Sequence, residues 1–160
     1  MKEKQKKILI QDLCARLPYG VKVQIDVNYC SIHGVFTLNR IDLSRKRDPF
    51  WVIDAKAFRG YSFKEFGFYY SEIKPYLRPL SSMTEEEKND LKEDGIKLDV
   101  CSDSKYIAYQ WHGSMWEQDP LENEDTNFLY HWFYKHFFDI NGLIPKGLAI
   151  EAPKDMYKFE

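Results

Sequence analysis

VKVQIDV, residues 21–27, alternates without a break: Val21, Val23, Ile25 and Val27 fall to one side of an extended chain, and Lys22, Gln24 and Asp26 to the other. A period of two over seven residues, rich in β-branched side chains, predicts a strand with one face in a core and one in water. Upstream, Leu9, Leu13 and Leu17 recur at four-residue spacing beside Ile10 and Cys14, which predicts an amphipathic helix over residues 4–17 with Cys14 on its apolar side. Pro18, Tyr19 and Gly20 end that helix. The chain thus opens as one helix and one half-buried strand.

Further along, a second strand is expected over residues 32–43 with Gly34 as a bulge, then the basic turn SRKRDP (44–49) and a third strand, FWVIDAKAF (50–58). Together these read as an antiparallel meander. FGFYY (66–70) is a short aromatic strand. IKLDVC (96–101) and YIAYQWH (106–112) flank Ser102-Asp103-Ser104 as a hairpin. Between these groups lies IKPYLRPLSSMTEEEKNDL (73–91). Pro75 and Pro79 push Lys74 and Arg78 toward extended geometry, so the reading is a stiff connector, anchored to the sheet by Tyr76 and Leu77.

That connector delivers the chain to a helix capped by Thr84, with Glu87 reaching back and three acids at its positive end. Leu91 is almost its only apolar residue, which places the helix on the surface. A last helix opens at Asp119-Pro120-Leu121-Glu122 and runs to about residue 138. Its apolar stripe is Leu129, Trp132, Phe133, His136 and Phe137, and Gly142 is its expected C-terminal cap. The expected fold is therefore α+β in a single domain, 1–160. A twisted antiparallel sheet, with a small partly open barrel as its more closed form, packs against the N-terminal and C-terminal helices.

Composition narrows the function classes. Over residues 1–47 ten Lys/Arg face four Asp/Glu, and over residues 48–160 thirteen face twenty-one, so a net charge of −2 conceals a basic start and an acidic remainder. The near-neutral total argues against a bulk polyanion partner. Cys14, Cys30 and Cys101 are few, odd in number and widely spaced, which fits a reducing, cytoplasmic setting rather than a disulfide framework. The basic N-terminus lacks an uninterrupted apolar run and a small-residue cleavage site, and no stretch approaches the ~18 apolar residues of a membrane span, so no membrane partner is expected.

RGYSFKEF (59–66) resembles the RNA-recognition-motif signature, in which rings stack on bases. Lys64 stands where that family has a buried aliphatic residue, and only turn and strand separate the motif from VFTLNR (35–40), where the family places a helix. A looser stacking surface for single strands remains, with Arg59, Tyr61, Lys64, Tyr69, Lys74 and Arg78 interleaving rings and cations. Against it, alternate rings of a strand turn into a core: Phe66, Phe68 and Tyr70 share one side and Tyr69 takes the other. Cys30 and His33 have a zinc-like gap without a second pair, and His131 and His136, five apart on a helix, diverge by about 140°. No nucleophile elbow or phosphate-cradling glycine loop occurs, and Asp54 with Lys56 reads as a solvated pair. No catalytic residue, metal ligand or cofactor is expected.

Three segments, LCARLPYGVKV (13–23), IKPYLRPLSSMTEEEK (73–88) and FDINGLIPKGLAIEAPKDMY (138–157), resemble a family of short proteins from gut Bacteroidales genomes and their phages and mobile elements. That family carries no assigned activity. The resemblance implies a cytoplasmic location and a mobile-element role, and where the family carries paired histidines this chain has His136-Phe137. The expected function is a non-enzymatic accessory module that binds another protein, of phage or host origin. The alternative is a single-stranded nucleic-acid binder using residues 59–78.

Overall fold

The computed structural model describes residues 1–27, 32–44, 50–52, 66–69, 71–118 and 123–157. The fold is α+β. Helix α1 (Glu3–Arg16) leads through a 3-10 turn (Leu17–Tyr19) into β1 (Lys22–Val27). β2 (Ile32–Ile41), β3 (Phe50–Val52) and β4 (Phe66–Phe68) follow as an antiparallel meander, then β5 (Ile73–Leu77) returns beside β1. Next come α2 (Glu85–Glu93), β6 (Ile96–Ser102), β7 (Lys105–Trp111), β8 (Trp116–Glu117), α3 (Asn123–Lys135) and β9 (Ile150–Glu151).

The alternation of residues 21–27 is realised directly: Val21, Val23, Ile25 and Val27 are all buried, and α1 lays Leu9 and Leu13 over them. The expected hairpin about Asp103 forms as β6 and β7. The capping box at Thr84 also forms, with the Glu87 N–H donating to the Thr84 hydroxyl and the Thr84 N–H donating to the Glu87 carboxylate. α2 lies on the surface, holding Leu91 inward as its one buried residue.

Several expectations are corrected. Strands expected in one sheet occupy two, a six-stranded sheet in the order β4-β3-β2-β1-β5-β9 and a three-stranded sheet β6-β7-β8, and among the described residues neither closes into a barrel. The cause is a division of apolar side chains into two clusters. One joins α1 to the larger sheet; the other joins the smaller sheet to α2 and α3 through Leu91, Ile96, Leu98, Leu129 and Phe133. The expected connector is itself a strand, β5, with Pro75 opposite Val23 in register. The Asp26 N–H donates to the Glu72 carbonyl, so the hydrogen-bonded pairs with β1 fall at Asp26–Glu72 and Lys74–Gln24, and Pro75, one residue beyond Lys74, falls in a non-hydrogen-bonded pair with its nitrogen turned away from β1. On that other side β9 joins only at Tyr76 and Leu77, so the missing N–H costs no ladder bond.

Gly34 pairs regularly with Ile25, and the irregularity of β2 falls between Leu38 and Arg40 instead. Cys14 is exposed, because the inward positions of α1 beside Leu13 are taken by Asp12 and Arg16. Finally, α3 ends well before Gly142. Phe137 adopts a left-handed φ of 61°, its N–H donates to the Tyr134 carbonyl and the Phe138 N–H to the Phe133 carbonyl, the pattern of a Schellman cap. A phenylalanine in that position is held by packing, since its ring lies 3.7 Å from the Tyr157 ring and nearly parallel to it. The consequence is that consecutive residues feed opposite cores: Phe137 the larger sheet, Phe138 the helix–hairpin cluster.

Candidate functional site

Where β5 runs out, Arg78 continues the sheet by pairing with the chain after α3. Its N–H donates to the Phe137 carbonyl and its carbonyl accepts from the Asp139 N–H, both at 2.8 Å. Its side chain turns to α2. Nη1 donates to Glu87 Oε1 at 2.6 Å and Nη2 to Glu87 Oε2 at 2.9 Å, while the guanidinium lies 4.3 Å from the centre of the Phe138 ring. Glu87 is thus shared between the helix cap and the arginine. Burial alone would raise its carboxyl, but hydrogen bonds from Arg78 and Thr84 outweigh it and leave Glu87 below the ordinary carboxylate range.

This ion pair sits in the wall of an open groove of about 900 Å³ between α2, α3 and the C-terminal segment 151–157. On the α3 side Trp132, Phe128, Lys135 and His136 line it. The His136 ring stacks on Trp132 at 4.1 Å, and Nδ1 lies 2.8 Å from the Trp132 carbonyl oxygen, which makes it the protonated nitrogen. Burial lowers the basicity of His136, against the opposing pull of the Trp132 carbonyl and Glu87. Trp132 in turn stacks on Phe138, with ring planes 10° apart. On the facing side Tyr157 anchors the C-terminal segment, its hydroxyl donating to the Tyr76 carbonyl and accepting from the Lys22 N–H. Glu151 and Asp155 stand on that wall, and Glu86, Asp90 and Asp94 stand on α2. The arrangement is an aromatic floor between walls in which carboxylates outnumber cations.

Of the sequence-based surface, Arg59, Tyr61 and Lys64 lie outside the described residues, as do Cys30, Asp54 and Lys56. Tyr69 is exposed before β5, its N–H donating to the Glu72 carboxylate. Lys74 is exposed on β5, in register with Gln24. Arg78 lies past the far end of that strand, about 16 Å beyond Ile73 at strand rise, and is bound to Glu87. The two α3 histidines diverge as their spacing requires: His131 Nδ1 meets the Tyr19 hydroxyl while His136 faces the groove. Among the described residues no group of three or more His, Cys, Asp or Glu is placed to hold a metal ion, and no helix is long and apolar enough to cross a membrane.

Two features escaped the sequence reading. The four-residue spacings Glu86-Asp90-Asp94 and Trp132-His136 were present as signals for the groove. The outer face of the smaller sheet was signalled by the alternation of Ile107, Tyr109 and Trp111, and there the Trp111 ring packs tilted against Trp116, centres 5.2 Å apart, while Lys97 covers the Tyr109 ring. Comparison with protein-family models, with curated proteins and with solved structures gives no match for this chain.

Proposed function

We propose that this chain is a non-enzymatic accessory module that holds a segment of another protein in the groove between α2 and α3. The observation that carries this reading is the groove itself, a preformed trough of about 900 Å³ with a ring-lined floor and the half-exposed Phe128 at its edge. Large aromatic side chains in a partly desolvated depression are the usual anchors of protein–protein binding. Its walls are also pre-organised: Arg78 is fixed by Glu87, and Glu87 by the start of α2, so little ordering is left for the moment of binding. A cytoplasmic setting and a gene carried by a phage or mobile element rest on the resemblance of residues 73–88 and 138–157 to such proteins.

The test is affinity purification of the full chain from its native cell with mass spectrometry, with and without nuclease, beside the variant Phe128→Ala. A partner retained after nuclease and released by Phe128→Ala supports the reading; truncating an anchor ring typically weakens binding by at least ~1 kcal/mol. Retention that depends on nucleic acid, with saturable and salt-sensitive oligonucleotide binding weakened by Tyr69→Ala, would replace it with single-strand binding through residues 59–78.

A further inference from the structure

Resting on the groove as the protein-binding site, we propose that its occupant is cationic: a segment that sets an apolar side chain on the Trp132 floor and lysines or arginines against α2. Glu86, Asp90 and Asp94 repeat every four residues and form one stripe of α2 along the groove. All three are exposed, and among the described residues none has a cation within ion-pair distance, although Lys88 on the same helix is paired with Glu85. Asp90 and Asp94 stand at the C-terminal end of α2, where the helix dipole disfavours negative charge. Neighbouring carboxylates repel, so the free protein holds this stripe in an electrostatically unfavourable arrangement, which a cation on the groove side relieves.

The facing wall adds Glu151 and Asp155, against which the groove sets Lys135 and Lys154; Arg78 is already matched by Glu87. The surplus is therefore the three carboxylates of the α2 stripe, on one side of the aromatic floor. A polyanion would meet repulsion from the α2 wall, and an uncharged segment would leave the stripe unrelieved. Charge complementarity therefore selects a basic partner and, through long-range attraction, speeds its arrival.

The experiment uses the full chain and two fluorescent synthetic peptides of equal length, one with a leucine flanked by lysines and one with the same leucine flanked by glutamates. Anisotropy should show saturable binding of the lysine peptide, weakened by added salt, and none of the glutamate peptide. Reversal of the stripe (Glu86→Lys, Asp90→Lys and Asp94→Lys) should weaken the lysine peptide roughly tenfold or more while leaving the thermal melt in place. Lysine-peptide binding that survives the reversal, or its absence at low salt, overturns the cationic occupant. If Phe128→Ala still releases the native partner in that case, the groove remains the protein-binding site; if it does not, the groove reading falls as well.

Discussion

Two arginine–carboxylate pairs stand on either side of residues 137–139, and water reaches only one of them. Arg16 binds Asp12 at 2.6 and 2.9 Å with both side chains fully buried. Arg78 binds Glu87 at the same distances with side chains 17% and 14% exposed. The chemistry is alike, a planar fork on a carboxylate. The surroundings differ. At the inner pair each remaining lone pair and proton matters, and Arg16 Nη2 also donates to the Phe138 carbonyl while Asn141 donates to Asp12. Among the described residues Arg16 Nη1 has no hydrogen-bond partner, and the Tyr134 ring lies 5.0 Å from that guanidinium. At the outer pair, solvent offsets part of any loss. The inner pair therefore specifies how α1 meets the chain after α3, whereas the outer pair shapes the wall of a binding groove.

That contrast predicts a descending series. Arg16→Ala leaves Asp12 buried and uncompensated and should cost ~3–5 kcal/mol in denaturant unfolding, with a double change, Asp12→Leu and Arg16→Met, restoring much of it. If Arg16→Ala costs no more than a change at Glu87, the two pairs are equivalent and the comparison fails. Glu87→Gln should cost ~1.5–3 kcal/mol, the range of hydrogen bonds to a charged group.

The same variant carries a pH signature. Because the folded carboxyl of Glu87 is lowered, its stabilisation is complete above the unfolded value, ~4.3, and is lost as pH falls through the lower folded value. The melting difference between wild type and Glu87→Gln should shrink on acidification. Asp139 has the opposite sign: burial raises its carboxyl, despite N–H donors from Ile144 and Leu143, so its contribution is present at low pH and declines as pH rises through the raised value. Melting curves of Asp139→Asn should therefore diverge from wild type toward acid, where those of Glu87→Gln converge.

Thr84→Ala removes one donor–acceptor pair of the capping box and should cost ~0.5–2 kcal/mol by the same unfolding measurement. An unmoved midpoint would mean that Glu87 is held by Arg78 alone. The smallest effect belongs to Glu86→Lys, exposed and outside the box, which should stay within ~0.5 kcal/mol in stability even though it changes the charge of the groove.

The features legible in the sequence are those settled within a few residues. The faces of residues 21–27, the hairpin turn at Asp103 and the cap at Thr84 depend on side-chain alternation, turn chemistry and a hydroxyl three residues from its N–H, and each is where spacing places it. Tertiary contacts decided the rest. Pro75 argued for a connector, but β9 joins only beside Tyr76 and Leu77 and leaves no ladder bond for the missing N–H to break. Phe137 replaced Gly142 at the end of α3 because the Tyr157 ring, distant in sequence, packs on it. Nothing in the local spacing of α1 marks Asp12 and Arg16 for burial. They are buried because the carbonyl of Phe138, 122 residues beyond Arg16, arrives to accept a hydrogen bond from its guanidinium. A charge is tolerated inside only when its partners converge on it, and no local spacing along a chain records where they will come from.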